Sequence, residues 1–387
     1  MRKMHKNIRL LYWLNFFIDF SPAAPIAILY FSKIVGSFAL GMSVYSVIML
    51  SSALFQIPTG ALSDLKGRKI CIVLGAFSQF LGSICFAIGG FYLMLLLGAV
   101  FMGLGRAFYS GNNEALLYET LKSQEREKDY HHFLGKTSSM FQIALASGAF
   151  IGGFIANQSF SLVMWATVIP QFMAFIVSLF FTEPSKHYIH ESGGINLIKE
   201  SLKQFKSNTR LRMLTFARVI SYAFSEAGYQ FKSTFIATLW PVWAIGIASF
   251  LNNFLAAISY FFSGKIIAKY SVKKVFYFQI IFGRIMDLIS LVFPTIFSPV
   301  IMSSSALTYG AGQVAYGVLF QKEYTDRERA TLGSLVTMAG SILFAFAAVF
   351  LGAMGDIFGP AKTLIFTSVV LFIPLVFYRR IFEHKKV

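Results

Sequence analysis

The chain has 387 residues, 56% of them hydrophobic and 13% charged, with a formal net charge of +17. A soluble domain carries about 25% charged residues, so this composition excludes an ordinary water-soluble enzyme or binding domain and assigns the chain to a bilayer. The positive balance does not indicate nucleic acid, because Lys and Arg recur between apolar runs, as expected for loops over an anionic lipid leaflet.

The first stretch, Met1–Phe17, has the look of a signal peptide. Its apolar run continues to Phe31 without a small-residue cleavage site, so a retained first span is expected. A window of about 20 residues marks about twelve spans. They fall at 10–32, 38–62, 70–90, 92–118, 133–156 and 160–182, then at 212–236, 241–264, 274–294, 296–320, 331–354 and 361–380. With the N-terminus inside, the tails and inner connections hold 28 of the 34 Lys and Arg. The outer side keeps Lys33, Lys232 and Lys362, and Arg106, Arg218 and Arg284 fall within spans. This asymmetry predicts that both termini are cytoplasmic.

The expected fold is an all-α integral membrane protein of two six-helix bundles, at 1–182 and 212–387. The linker at 183–211 opens on Glu183-Pro184, a helix stop. Within it Ile195, Ile198, Leu202 and Phe205 recur at helical spacing opposite Lys199, Lys203 and Lys206, the pattern of a helix lying on the inner membrane surface. A shift of 204 sets Gly60–Lys69 (GALSDLKGRK) on Gly264–Lys273 (GKIIAKYSVK), which keeps the leading glycine and the basic end but lacks the aspartate. Shifts of 202 and 200 align Leu117-Tyr118 with Leu319-Phe320 and Gly152 with Gly352. Such similar offsets predict a duplication.

Asp64, Lys66, Arg68 and Lys69 cannot lie in hydrocarbon, so Gly60–Lys69 is expected to be a short turn at the membrane surface. With Gly60, Asp64, Gly67, Arg68 and Lys69 at G-x-x-x-D-x-x-G-R-[KR] spacing, it resembles the loop between the second and third helices of the major facilitator superfamily. The resemblance implies two bundles around a central cavity, rocking to give alternating access. Asp64 is expected to cap a helix end or pair across the inner face, stabilising an outward-open state.

An ionisable residue within a span costs about 2.5–3.5 kcal/mol on insertion scales, so each needs a reason. Asp19 follows Asn15 by one turn and precedes Pro22 and Pro25, which free backbone carbonyls and kink the helix as a cavity wall requires. A carboxyl there either exchanges protons near neutral pH or stays ionised beside an arginine of a neighbouring helix. On the fourth span Arg106, Ser110 and Asn113 share one helical face, with Glu114 alongside. This segment resembles the superfamily's fourth-helix arginine motif, although Gly111 follows Arg106 by five residues where the motif has four. The resemblance makes Arg106 the residue that tunes a proton-carrying carboxylate, Asp19 or Glu114; a plain Arg106–carboxylate ion pair is the structural alternative. Gly148–Gly153 resembles the antiporter signature G-P-x-x-G-G with Ala149 in place of proline, and small residues four apart also let helices approach closely. Gln56 stands where many drug-efflux relatives carry glutamate.

On the seventh span Arg218, Tyr222, Ser225 and Tyr229 share a face with Glu226 adjoining, and form the second half's candidate cavity wall. Arg284 and Asp287, three apart, are expected to pair with each other. The two cysteines, Cys71 and Cys85, stand about 21 Å apart along one helix and cannot bridge. With no nucleophile elbow, phosphate loop or metal-ligand cluster, no enzyme, cofactor or metal is expected. The reading is a monomeric, multi-pass plasma-membrane transporter whose partners are a small solute, protons and lipids. Proton-coupled export of an amphipathic, drug-like compound is favoured by the resemblance. Nutrient symport and a non-transporting sensor are the alternatives.

Overall fold

The computed structural model describes residues 2–184, 203, 205–321 and 329–383. In hydrocarbon each backbone N–H and C=O needs a partner within the protein, so the long apolar runs fold as helices. The first half holds α1 (Arg2–Asp19), α2 (Ala27–Val35), α3 (Phe38–Lys66), α4 (Arg68–Ile88), α5 (Tyr92–Tyr109), α6 (Asn112–Lys122), α7 (Tyr130–Ala156) and α8 (Phe160–Leu179). The second holds α9 (Thr209–Ile236), α10 (Val242–Tyr270), α11 (Val272–Val292), α12 (Ser298–Ser304), α13 (Ala306–Gln321), α14 (Arg329–Phe358), α15 (Pro360–Val370) and α16 (Ile373–Glu383). Among the described residues nine segments are long and apolar enough to cross a membrane. With α7, the more polar α9 and the α12–α13 pair, they fill the twelve expected positions. Ile195, Ile198, Lys199 and Leu202 of the linker lie outside the described residues.

Where hydropathy windows see one span, hydrogen bonding divides four of them. The first breaks after Asp19, passes a 3-10 turn at Ala24–Ile26 and resumes as α2. The fourth breaks at Ser110-Gly111, where Gly111 takes φ +78. The tenth and twelfth divide into α12–α13 and α15–α16. The stretch Gly60–Lys69 is not an extended turn. Helix α3 runs through Lys66 and α4 begins at Arg68, so Gly67 alone makes the corner, at φ +96. Ser271 occupies the same place between α10 and α11 at φ +67, 204 residues after Gly67.

Contacts group the chain into two units. Unit 1 comprises Met1–Gly36, Ser43–His190 and Pro241–Phe250; unit 2 comprises Ser37–Met42, Glu191–Trp240 and Leu251–Val387. The first has a buried core of Ile8, Leu11, Leu14 and Ile18 against Ile72, Leu116, Leu117, Leu121, Ala174 and Phe181, drawn from α1, α4, α6 and the region of α8. The second buries Leu214 and Ala217 with Val275, Phe276, Ala311, Ala315, Leu319, Phe320, Tyr378 and Ile381, from α9, α11, α13 and α16. Each core therefore uses the first, third, fourth and sixth spans of its half.

Glycines mark the closest approaches. In unit 1 a β-carbon on Gly152 would overlap the Pro22 carbonyl, and one on Gly153 would stand 2.8 Å from the Gly246 Cα. In unit 2 one on Gly352 would stand 2.6 Å from the Phe38 carbonyl oxygen. There Asp356 of α14 caps the start of α3, accepting the Phe38 and Ala39 N–H groups at 2.6 and 3.0 Å and the Ser37 hydroxyl at 2.7 Å.

Candidate transport site

In unit 1 the polar side chains converge where the first and fourth spans break. The Asn113 amide donates to Asn15 Oδ1 at 3.0 Å and to the Tyr109 hydroxyl at 2.9 Å, and Tyr109 in turn donates to Asn15 Oδ1. Asp19 lies one turn further along α1, within electrostatic reach of Arg106. Among the described residues no carboxylate pairs directly with the Arg106 guanidinium, the structural alternative; its Nη1 faces the Met49 sulfur at 3.6 Å. Ser110 sits at the break between α5 and α6, and Glu114 is exposed in the first turn of α6, so the simple stripe expected along a continuous fourth helix is corrected.

Neighbouring side chains satisfy the backbone that these breaks release, as a bilayer interior demands. Gln171 of α8 donates to the Ile18 carbonyl at 2.9 Å, and the Ala23 N–H donates to the Thr167 hydroxyl at 3.0 Å. At the other break Thr59 donates to the Ala107 carbonyl at 3.2 Å and Asn112 to the Phe108 carbonyl at 2.7 Å.

Unit 2 gathers an arginine and aromatic rings. Arg218 donates to Gln313 Oε1 at 3.2 Å and lies over the Tyr316 ring at 4.3 Å, with Tyr222 at 6.0 Å. Tyr260 and Tyr309 meet edge to face, 6.2 Å apart, within electrostatic reach of Arg218. Further along α9, Glu226 accepts from Gln230 at 2.9 Å, and Ser225 and Tyr229 are exposed. These aromatic contacts suit a guanidinium in a desolvated wall, where a ring face attracts a cation.

The loop side chains form a compact ionic knot in unit 1. Arg68 pairs with Asp64 and with Glu119, each at 3.1 Å. Glu183 accepts the Arg68 and Lys69 N–H groups at 2.8 Å each, capping α4 with a full negative charge. Gly60 lies inside α3, and a β-carbon there would meet open space. Arg284 pairs with Asp287 at 3.1 Å as the spacing implied, but Lys232 of α9 also reaches Asp287, at 3.0 Å. Lys232 is therefore not a loop cation.

The residues that sequence reasoning missed are mostly partners. Tyr109 follows Arg106 by three, and Gln313 and Tyr316 are three apart on the tenth span; those spacings were available as signals. Nothing local distinguishes Gln171 or Thr167.

A helical membrane protein of two units, each carrying polar side chains in its spans, has the architecture of a solute transporter. The model of the Major Facilitator Superfamily matches residues 9–342, and the chain belongs to that family. Family and fold point to a multi-pass membrane transporter. An uncharacterised transporter of Buchnera aphidicola subsp. Acyrthosiphon pisum is 28% identical over 192 residues, 50% of this chain and 43% of the relative. The match thus spans less than half the length of that relative. Among solved structures, a variant of the nucleoside transporter NupG is similar with a TM-score of 0.80 at 14% identity, covering 96% of this chain and 100% of that one. The D-xylose-proton symporter gives a TM-score of 0.74 at 12% identity, with 97% of each chain covered. These likenesses concern the fold.

Proposed function

We propose that the chain is a proton-coupled secondary transporter of the plasma membrane, rocking two six-span halves to export a small amphipathic compound. The observation that carries proton coupling is Asp19, a carboxylate at the broken end of α1 within electrostatic reach of Arg106. Protonation removes the charge that faces Arg106, and deprotonation restores it, so proton and solute can alternate at one cavity. Glu114 is the second candidate carrier. The candidate solute-binding residues are Asn15, Ser110 and Asn113 of the first half and Arg218, Tyr222, Ser225, Glu226 and Tyr229 of the second. The knot of Asp64, Arg68 and Glu119 braces the inner end of the first half as a conformational latch. A proton entering through 100 mV supplies about 2.3 kcal/mol, sufficient for modest concentration of a solute.

The direction of export rests on the resemblance of Gly148–Gly153 to the antiporter signature. Uptake by symport is the second reading, favoured by the packing of Gly152 and Gly153 against Pro22 and Gly246, which accounts for those glycines without export. Proton flux in inverted vesicles, over cationic dyes, antibiotics and sugars, tests both. Release of lumenal protons on adding a dye supports export. A response to sugars alone with opposite flux supports uptake. Asp19→Asn is expected to abolish coupling; normal transport with unchanged pH dependence would transfer the role to Glu114.

A further inference from the structure

The counterpart of the Gly60–Lys69 stretch in the second half keeps the corner but, among the described residues, not the ion pairs. Gly67 and Ser271, 204 residues apart, both turn the chain at positive φ between long helices. At the Gly67 corner Arg68, just after the turn, holds Asp64 and Glu119. Just before Ser271 the basic side chains are not paired in this way among the described residues. Lys265 and Lys269 are exposed, one turn apart on α10, and lie over the Phe262 and Tyr270 rings at 5.9 and 5.2 Å. Among the described residues neither forms a salt bridge.

Both lysines line a groove of about 440 Å³ whose other walls include Ile258, Phe262, Ile266 and Leu307. Ile258, Phe262, Lys265 and Lys269 follow helical spacing along one face of α10. Tyr260 is about 200° round the helix from Ile258, so the groove faces away from the Tyr260–Tyr309 pair near Arg218. It is separate from the candidate solute site. From Ile258 to Lys269 the helix rises about 16 Å, close to the roughly 15 Å of hydrocarbon in one leaflet. The groove therefore offers apolar walls at leaflet depth and two unneutralised cations at the end that the charge asymmetry assigns to the cytoplasm.

We propose that this groove binds an anionic phospholipid of the inner leaflet. Its phosphate lies between Lys265 and Lys269, and one acyl chain runs along Ile258, Phe262, Ile266 and Leu307. Lysines at a membrane surface attract anionic headgroups, and their aliphatic stems extend along apolar walls while the ammonium groups stay at the interface. A zwitterionic lipid fills the same walls but brings no net charge to the cations. The site is independent of which solute is carried and in which direction.

The test is native mass spectrometry of the full chain in detergent, titrated with dioleoylphosphatidylglycerol or dioleoylphosphatidylcholine. The wild type is expected to retain the anionic lipid about thirty-fold more tightly than K265Q/K269Q, the effect of two surface lysines. The double variant should bind both lipids alike. Ile258→Trp, which fills the groove and leaves both lysines, should reduce retention several-fold, whereas millimolar inorganic phosphate should leave the lipid bound. Thermal unfolding in lipid-free detergent should be unchanged in K265Q/K269Q, which separates loss of the site from loss of the fold. Equal retention of the two lipids by the wild type, unchanged retention in K265Q/K269Q or in folded Ile258→Trp, or displacement by inorganic phosphate would each overturn the proposal.

Discussion

Replacing Glu183 with glutamine removes one acceptor and the whole charge from the start of α4. In the native chain its two oxygens take the first two N–H groups of that helix, Arg68 and Lys69, at 2.8 Å each. A hydrogen bond to a charged group contributes about 1.5–3 kcal/mol, and the charge–dipole interaction about 0.3–1 kcal/mol. Glutamine keeps one oxygen, so the expected loss is about 2 kcal/mol. In a unit of this size 1 kcal/mol moves Tm by about 2–4 °C, which gives a fall of about 4–8 °C. Cys71 lies in the first turn of α4, buried and with a free thiol, so a fluorogenic maleimide reports directly when that helix opens. Gly67 supplies the cross-check. A β-carbon there would stand 2.7 Å from the Glu183 carboxyl carbon, at φ +96. The Gly67→Ala/Glu183→Ala double variant should therefore lose less stability than the two single variants summed, since the second change relieves the clash. Unfolding of Glu183→Gln at the wild-type temperature, or strict additivity in the cycle, would refute this account.

Asp287→Asn strands Lys232 and Arg284 together and is expected to cost about 3–5 kcal/mol in denaturant unfolding; Arg284→Gln leaves Lys232–Asp287 intact and should cost less. Ser271 stands at φ +67 and ψ 152, a region that is essentially glycine's, so Ser271→Gly should stabilise unit 2 by about 1–2 kcal/mol, seen as a raised Tm. Asp356→Ala removes the cap on α3 and should cost about 1–2 kcal/mol, with faster amide exchange at Phe38 and Ala39. In the loop, Glu119→Gln should slow turnover more than Asp64→Asn. The Glu119 side chain is 11% exposed where it meets Arg68, whereas Asp64 is 38% exposed, and exposed pairs contribute little.

Spans were legible because a bilayer demands a run of apolar residues of fixed length, and hydropathy alone reports it. Breaks within spans were legible only where proline announced them. Pro22 and Pro25 foretold the interruption of the first span, whereas the polar run Ser110-Gly111-Asn112-Asn113 was read as the face of a continuous helix, so its turn signal went unused. Single side chains such as Asp19 and Arg106 stood out because charge in a span is costly. Their geometry did not follow, because Arg106 was expected to continue a stripe through Ser110 that the break deflects. Glu183 was read only through the proline after it, since its partners lie 114 and 115 residues away. The lysines of Gly264–Lys273 were visible as a degenerate repeat; only the packing of Leu307 beside α10 made them the rim of a groove.

The division of the fourth span at Gly111 makes it two levers instead of one rod. Asn113, which meets Asn15 where the first and fourth spans break, and Glu119, which grips Arg68, ride on the same short helix α6, about 9 Å apart along its axis. Arg106 is on the far side of the joint, on α5. A pull on the surface knot thus reaches the asparagine pair directly, and reaches the arginine only through one left-handed residue.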